Sequence, residues 1–146
     1  MSAAKAIAEI ENEIVEEFSL FDSWEDKYEY IIDLGKKLDP LDEKYRTKEN
    51  IVKGCQSTVW LAAEYEDGRI LYKADSDAVI VKGMISMLIR VLSNHTPDEI
   101  NSAPLDFVKR IGMDKHLAQT RSNGLVAMIR QMKNYALAYK LKNSMQ

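Results

Sequence analysis

The chain has 146 residues, 46% hydrophobic and 29% charged, with a formal net charge of −3 and one cysteine. That length predicts a single domain over 1–146 that builds its core without staples. A lone thiol excludes an intramolecular disulfide and a multi-thiolate metal site.

Residues Ala4 to Phe18 read as the first helix, with Ile7, Ile10, Ile14, Val15 and Phe18 at helical spacing and Glu9, Glu13, Glu16 and Glu17 as a solvated face. Ser23 is the expected N-cap of a second helix, with Glu25 and Asp26 in its first turn. Trp24, Tyr28, Ile31 and Leu34 or Leu38 share its apolar face, and Asp39-Pro40 ends it. The charged stretch from Asp39 to Asn50 reads as a loop. Strands follow at Val59–Tyr65 and Arg69–Lys73, joined by the hairpin signal Asp67-Gly68. Ile51-Val52 is the candidate for a short third strand.

The remainder is helical. Asp75-Ser76-Asp77 precedes an apolar run from Ala78 to Leu92, broken by Lys82, Gly83, Ser86 and Arg90. Thr96-Pro97-Asp98-Glu99 has capping-box spacing with Pro at the first helical position, and its helix ends near Ser102. Leu105–Ile111 and Asp114–Ala118 suggest two short helices. A last helix begins at Ser122 or Asn123, with Leu125, Met128, Ile129, Met132, Tyr135, Ala136 and Tyr139 as an apolar stripe of core filler. Helices, a small antiparallel sheet, then more helices predict an α+β class.

The charge is unevenly placed. Residues 1–73 hold 10 Lys/Arg against 17 Asp/Glu, and residues 74–146 hold 10 against 6. Either the two ends neutralise each other or are solvated, or the basic part faces an acidic partner. The net charge argues against nucleic acid. No apolar run is long enough to span a bilayer. Met1–Lys5 leads into an acidic amphipathic segment without a signal-peptide core, so the expected location is cytoplasmic, where a thiol stays reduced.

Chemistry centres on Cys55, which follows Gly54 and precedes a strand, placing it at a turn tip. An inert packing cysteine is the plainer alternative. A free thiol is only about 3% thiolate at pH 7. Lys53 and the backbone N–H groups of the turn could stabilise the anion, although an exposed loop lysine is the plainer reading of Lys53. His95 reads as a polar loop residue and His116 as a surface helix residue, and neither has a base-plus-orienter context. One cysteine and two histidines make no metal site. Lys82-Gly83 and Asn123-Gly124 stand alone, so no phosphate loop is present. What remains is thiol–sulfur exchange, which needs only a thiolate, access and a partner sulfur.

Four ordered blocks resemble the SufE-type sulfur acceptors. They are Gly54-Cys55-Gln56-Ser57-Thr58-Val59-Trp60, Asp75-Ser76-Asp77-Ala78-Val79-Ile80-Val81-Lys82-Gly83, Thr96-Pro97-Asp98-Glu99-Ile100 and Thr120-Arg121-Ser122-Asn123-Gly124-Leu125-Val126-Ala127-Met128. Together they span most of residues 15–135. The resemblance implies an α+β fold with a small three-stranded antiparallel sheet packed with helices, shared with U-type cluster scaffolds. Those scaffolds need three cysteines, so cluster assembly on this chain is not expected. Cys55 matches the sulfur acceptor and Gly54, Gln56 and Ser57 its loop. Asp77 matches a position tied to loop mobility and docking, and Arg121 one tied to partner contact.

The resemblance further implies a persulfide carrier, with no cofactor of its own, that takes sulfane sulfur from a PLP-dependent cysteine desulfurase. Such a carrier stimulates that enzyme and delivers sulfur to an iron–sulfur scaffold complex. The loop is expected to rest in a sheltered pocket. Lys53 departs from the proline that many relatives carry there, which leaves the loop less rigid or the thiol more electropositive. A stand-alone cysteine hydrolase or transferase and a non-catalytic interaction module are the alternatives. Monomer versus homodimer stays open.

Overall fold

The structure, a computed structural model, describes residues 5–144. The expected helix start at Ala4 lies outside them. Helix α1 (Ile7–Phe18) buries Ile7, Ile10, Ile14 and Phe18, the stripe its spacing predicts. Its acidic face is only partly solvated. Glu13 and Glu17 both pair with Arg90, and Glu17 also accepts from the Tyr30 hydroxyl. Glu11 is buried, and its carboxylate accepts the Phe107 N–H at 3.2 Å.

Helix α2 (Trp24–Lys36) starts where Ser23 accepts the Asp26 N–H at 3.2 Å. The charged loop after it holds two 3-10 turns, Glu43–Tyr45 and Lys48–Asn50. Arg46 ties that loop to the sheet: it bonds Asp75 at 2.6 Å and lies over the Trp60 ring.

Strands β1 (Val59–Glu66) and β2 (Arg69–Ser76) pair antiparallel from Val59↔Ser76 to Glu66↔Arg69. Asp67 and Gly68 both take positive φ, +54° and +81°, the conformation of a two-residue hairpin turn. The expected third strand is reduced to one bridge, Ile51↔Trp60, so the sheet has two strands. The reason is competition for the β1 edge. The hydroxyls of Tyr135 and Tyr139 donate to the Leu61 and Ala63 carbonyls at 3.0 and 3.1 Å, and the chain turns away at Gly54. On the other edge the Ile70 N–H donates to His95 O, the Asn94 N–H to Ile70 O and the Tyr72 N–H to Ser93 Oγ. Both edges are thereby covered.

Helix α3 (Val79–Leu92) is the central element, packed by α1, α2, β2 and the last helix. Helix α4 (Pro97–Ser102) carries the full capping box between Thr96 and Glu99. Two single-turn helices follow, α5 (Phe107–Arg110) and α6 (Met113–His116). Helix α7 (Gln119–Ser144) starts three residues earlier than Ser122, because the Arg121 and Ser122 amides both reach the Ala118 carbonyl at 3.0 Å. Arg121 therefore belongs to a helix face. No helix among the described residues is long and apolar enough to cross a membrane.

Candidate functional site

Gly54 has φ +96°, a conformation that favours glycine, and it turns the chain between the Ile51 bridge and β1. A Cβ at Gly54 would meet the Ala127 Cβ at 3.3 Å, so the turn lies flat on α7. The turn seats Cys55 against the same helix. Its Sγ is 3.6 Å from the Gly124 carbonyl oxygen, an S–H donation, and a Cβ on Gly124 would stand 3.5 Å from it. Cys55 is consequently half-buried, not presented at an open turn tip. Burial pushes its thiol up from the ordinary value, and no nearby charge opposes this.

The sulfur faces a cavity of about 310 Å³. Gln56 and Ser57 line one side. Ala78, Ile80, Val81 and Met84 supply a wall from α3 and its lead-in, and Ala118, Thr120, Arg121, Gly124 and Met128 a wall from α7 and its lead-in. The floor is apolar, since Met84 and Met128 are fully buried. Arg121 is exposed on the rim and makes no ion pair among the described residues.

Asp77 stands apart from this lining. It clamps the far end of the loop: its Oδ1 accepts the Thr58 N–H at 3.1 Å, and its own N–H donates to Thr58 O at 3.3 Å. The Ser76 hydroxyl donates to the same Thr58 carbonyl at 2.8 Å. Cys55, Gln56, Ser57 and Arg121 thus meet at one cavity, Gly54 shapes the turn beneath it, and Asp77 anchors the exit. Apart from Arg121, the α3 and α7 wall, with Gly124 and Met128, is absent from the residues expected from sequence. Its signal is the helical spacing of Arg121, Gly124 and Met128, which puts all three on one face once α7 begins at Gln119.

Neither histidine serves the thiol. His95 lies in the loop before α4, as expected, but is buried, and both ring nitrogens face carbonyls, Ser93 O at 2.9 Å and Lys5 O at 2.6 Å. The His116 ring is exposed and stacks on Trp24 with centroids 4.3 Å apart. Among the described residues the cavity lining carries no His, Asp or Glu, and no cluster of three such groups or cysteines could hold a metal. Lys53 lines a different recess, with Glu49, Ile51, Ala127, Arg130 and Gln131, and does not polarise the thiol. What the site offers is a sheltered thiol with no acid–base partner.

A family model named SufE, described as an Fe–S metabolism associated domain, matches residues 12–136. An uncharacterized SufE-like protein of Rhizobium meliloti is 39% identical over 130 residues, covering 86% of this chain and 93% of that protein. An uncharacterized SufE-like protein of Synechocystis sp. is 37% identical over 131 residues, covering 90% and 82%. The solution structure of a hypothetical protein from Thermus thermophilus superposes with a TM-score of 0.74 at 18% identity, covering 88% of this chain and 94% of that one, and supports the fold.

Proposed function

The chain belongs to the SufE family of Fe–S metabolism-associated domains, and from that premise we propose that it is a one-domain persulfide carrier loaded on Cys55 by a PLP-dependent cysteine desulfurase. The observation that carries the reading is a lone thiol seated at a cavity with an apolar floor and no histidine or carboxylate in its lining. Such a thiol suits exchange, which needs no general base at the site once the thiolate forms. The Cys55 thiolate attacks the outer sulfur of the donor's cysteine persulfide. The donor's S–S bond breaks, its cysteine leaves as a thiolate with the bonding pair, and Cys55 becomes a persulfide. No net oxidation or reduction occurs. A second exchange of the same kind passes the outer sulfur to an iron–sulfur scaffold complex.

Removing the product from the donor's cysteine speeds the donor's next turnover, which is the stimulation expected of this carrier. In this reading Gly54, Gln56 and Ser57 shape the loop, Asp77 holds its exit and Arg121 meets the partner at the rim. The setting expected for such a carrier is the reducing cytoplasm, where the thiol stays available. A stand-alone cysteine hydrolase has nothing to work with, since the ring nitrogens of His95 are occupied and His116 lies on Trp24.

The test is intact mass after incubation with a cysteine desulfurase and cysteine. Cys55 should gain about 32 Da per sulfur, and Cys55→Ser should gain nothing and stimulate nothing while keeping the fold. A wild-type chain that gains no sulfur would refute the reading.

A further inference from the structure

We propose that the recess between Lys53 and Arg130, beside the Cys55 loop, receives carboxylate side chains of the protein that donates sulfur; this rests on the persulfide reading above. The loop divides two adjacent recesses on α7. Cys55 rests on Gly124, which lines the thiol cavity, while Gly54 rests on Ala127, which lines the second recess. That second recess is lined by Glu49, Ile51, Lys53, Ala127, Arg130 and Gln131. Lys53 and Arg130 are exposed, and their side chains make no ion pair or hydrogen bond among the described residues. Arg121 on the cavity rim is likewise unpaired among them.

Three unpaired cations thus surround the thiol loop in a chain whose net charge is −3. Several cations elsewhere are engaged: Arg46 and Lys82 by Asp75, Arg90 by Glu13 and Glu17, Lys140 by Asp98. Near the loop, Glu49 is the one carboxylate in the second recess, and Asp77 is bonded to the Thr58 amide.

Geometry then dictates the occupant. A protein persulfide that reaches bonding distance of Cys55 must bring its surface over the loop. Lys53 is two residues from Cys55 and shares a recess with Arg130, so that surface covers both. Cations covered without counter-charges carry a desolvation penalty, and carboxylates opposite them offset it. The donor's reaction mouth is therefore flanked by acidic side chains. Lys53 adds one of the two charges they meet.

The experiment titrates the full-length chain into a cysteine desulfurase from the source organism at low and high salt. The Lys53→Glu/Arg130→Glu double variant should bind at least about tenfold more weakly at low salt, and the difference should shrink as salt rises. Lys142→Glu, eighteen residues beyond Gly124 and about 27 Å along α7, reverses one charge away from the loop and should stay within about twofold of wild type. At saturating desulfurase the double variant should still gain sulfur on Cys55. Wild-type affinity in the double variant, or an equal loss in Lys142→Glu, overturns the proposal. So does retention of duplex DNA by the wild-type chain that the double variant loses while desulfurase affinity stays unchanged. A wild-type chain that never gains sulfur defeats the persulfide reading itself, whereas sulfur gain with unchanged affinity defeats only this surface.

Discussion

The Cys55 sulfur and the Gly124 backbone share one seat: Sγ lies 3.6 Å from the Gly124 carbonyl oxygen, and a Cβ built on Gly124 would stand 3.5 Å from it. That separation is ordinary van der Waals contact. Gly124→Ala should therefore leave the thiol seated and, by helix propensity, add up to about 1 kcal/mol of stability. Gly124→Leu should fill the seat and expel the loop, raising the rate of iodoacetamide alkylation about tenfold at some cost in stability. Equal alkylation rates in the Leu variant and wild type would show that Gly124 does not form the seat.

The resting thiol should be a poor nucleophile. Burial disfavours its charged form, and neither Lys53 nor Arg121 offsets that. With the folded value above the unfolded one, the seated neutral thiol contributes stability fully below the unfolded value, and this is lost as pH rises through the folded value. The alkylation rate plotted against pH should have its midpoint above about 8.5 in the folded chain, and near 8.5 in urea. A folded midpoint below the unfolded one would mean that a cation reaches the sulfur after all. Adding a desulfurase should speed the reaction of Cys55 if docking draws the loop out of its seat.

Local signals were readable from sequence wherever one segment supplies both partners. Ser23 capping Asp26, the Thr96–Glu99 box and the Asp67-Gly68 turn are all of this kind. What escaped depends on residues far apart in the chain. The third strand shrank to a bridge because Tyr135 and Tyr139 take the β1 edge. His95 is buried with its ring against the Lys5 carbonyl, which comes from the other end of the chain. Met128 was legible as core but not as cavity wall, since that role needs α3 opposite it. The ordered motifs marked Cys55, Gln56, Ser57 and Arg121. The half-buried seat of the thiol could not be read without α7.

Asp77 controls the loop from outside the cavity. Its carboxylate accepts the Thr58 N–H at 3.1 Å, just before β1 begins at Val59. Asp77→Ala should cost about 1 kcal/mol, the usual net value of such a bond, and should raise Cys55 alkylation severalfold. Asp77→Asn keeps an acceptor and should restore most of both. If Asn behaves as Ala does, the charge of Asp77 matters more than the clamp. Urea midpoints and alkylation rates measured on the same samples separate the two.

Gly83 supports the cavity from behind. Sequence showed Lys82-Gly83 only as an isolated pair without a phosphate loop, yet the glycine marks the closest crossing of α2 and α3. A Cβ there would stand 2.1 Å from the Ile31 carbonyl oxygen and 2.6 Å from Ile31 Cγ2. The nearest atom is backbone, so the helices must part. The crossing is tight from the other side too: a Cβ on Gly35 would stand 2.7 Å from the Gly83 nitrogen. Parting would also stretch the Ser86 hydroxyl away from the Leu34 carbonyl, 3.2 Å distant. Gly83→Ala should gain roughly 1 kcal/mol in helix propensity and lose more than that in packing, for a net destabilisation of about 2–3 kcal/mol. The expected readout is a lower urea midpoint at an unchanged slope. Because Val81 and Met84 of the cavity wall flank Gly83 on α3, Cys55 alkylation should rise in the same variant. Destabilisation with unchanged alkylation would mean that α3 moves as a unit with α7 and keeps the thiol's seat intact. A midpoint at or above wild type would show that α2 and α3 can slide past one another and absorb the added methyl.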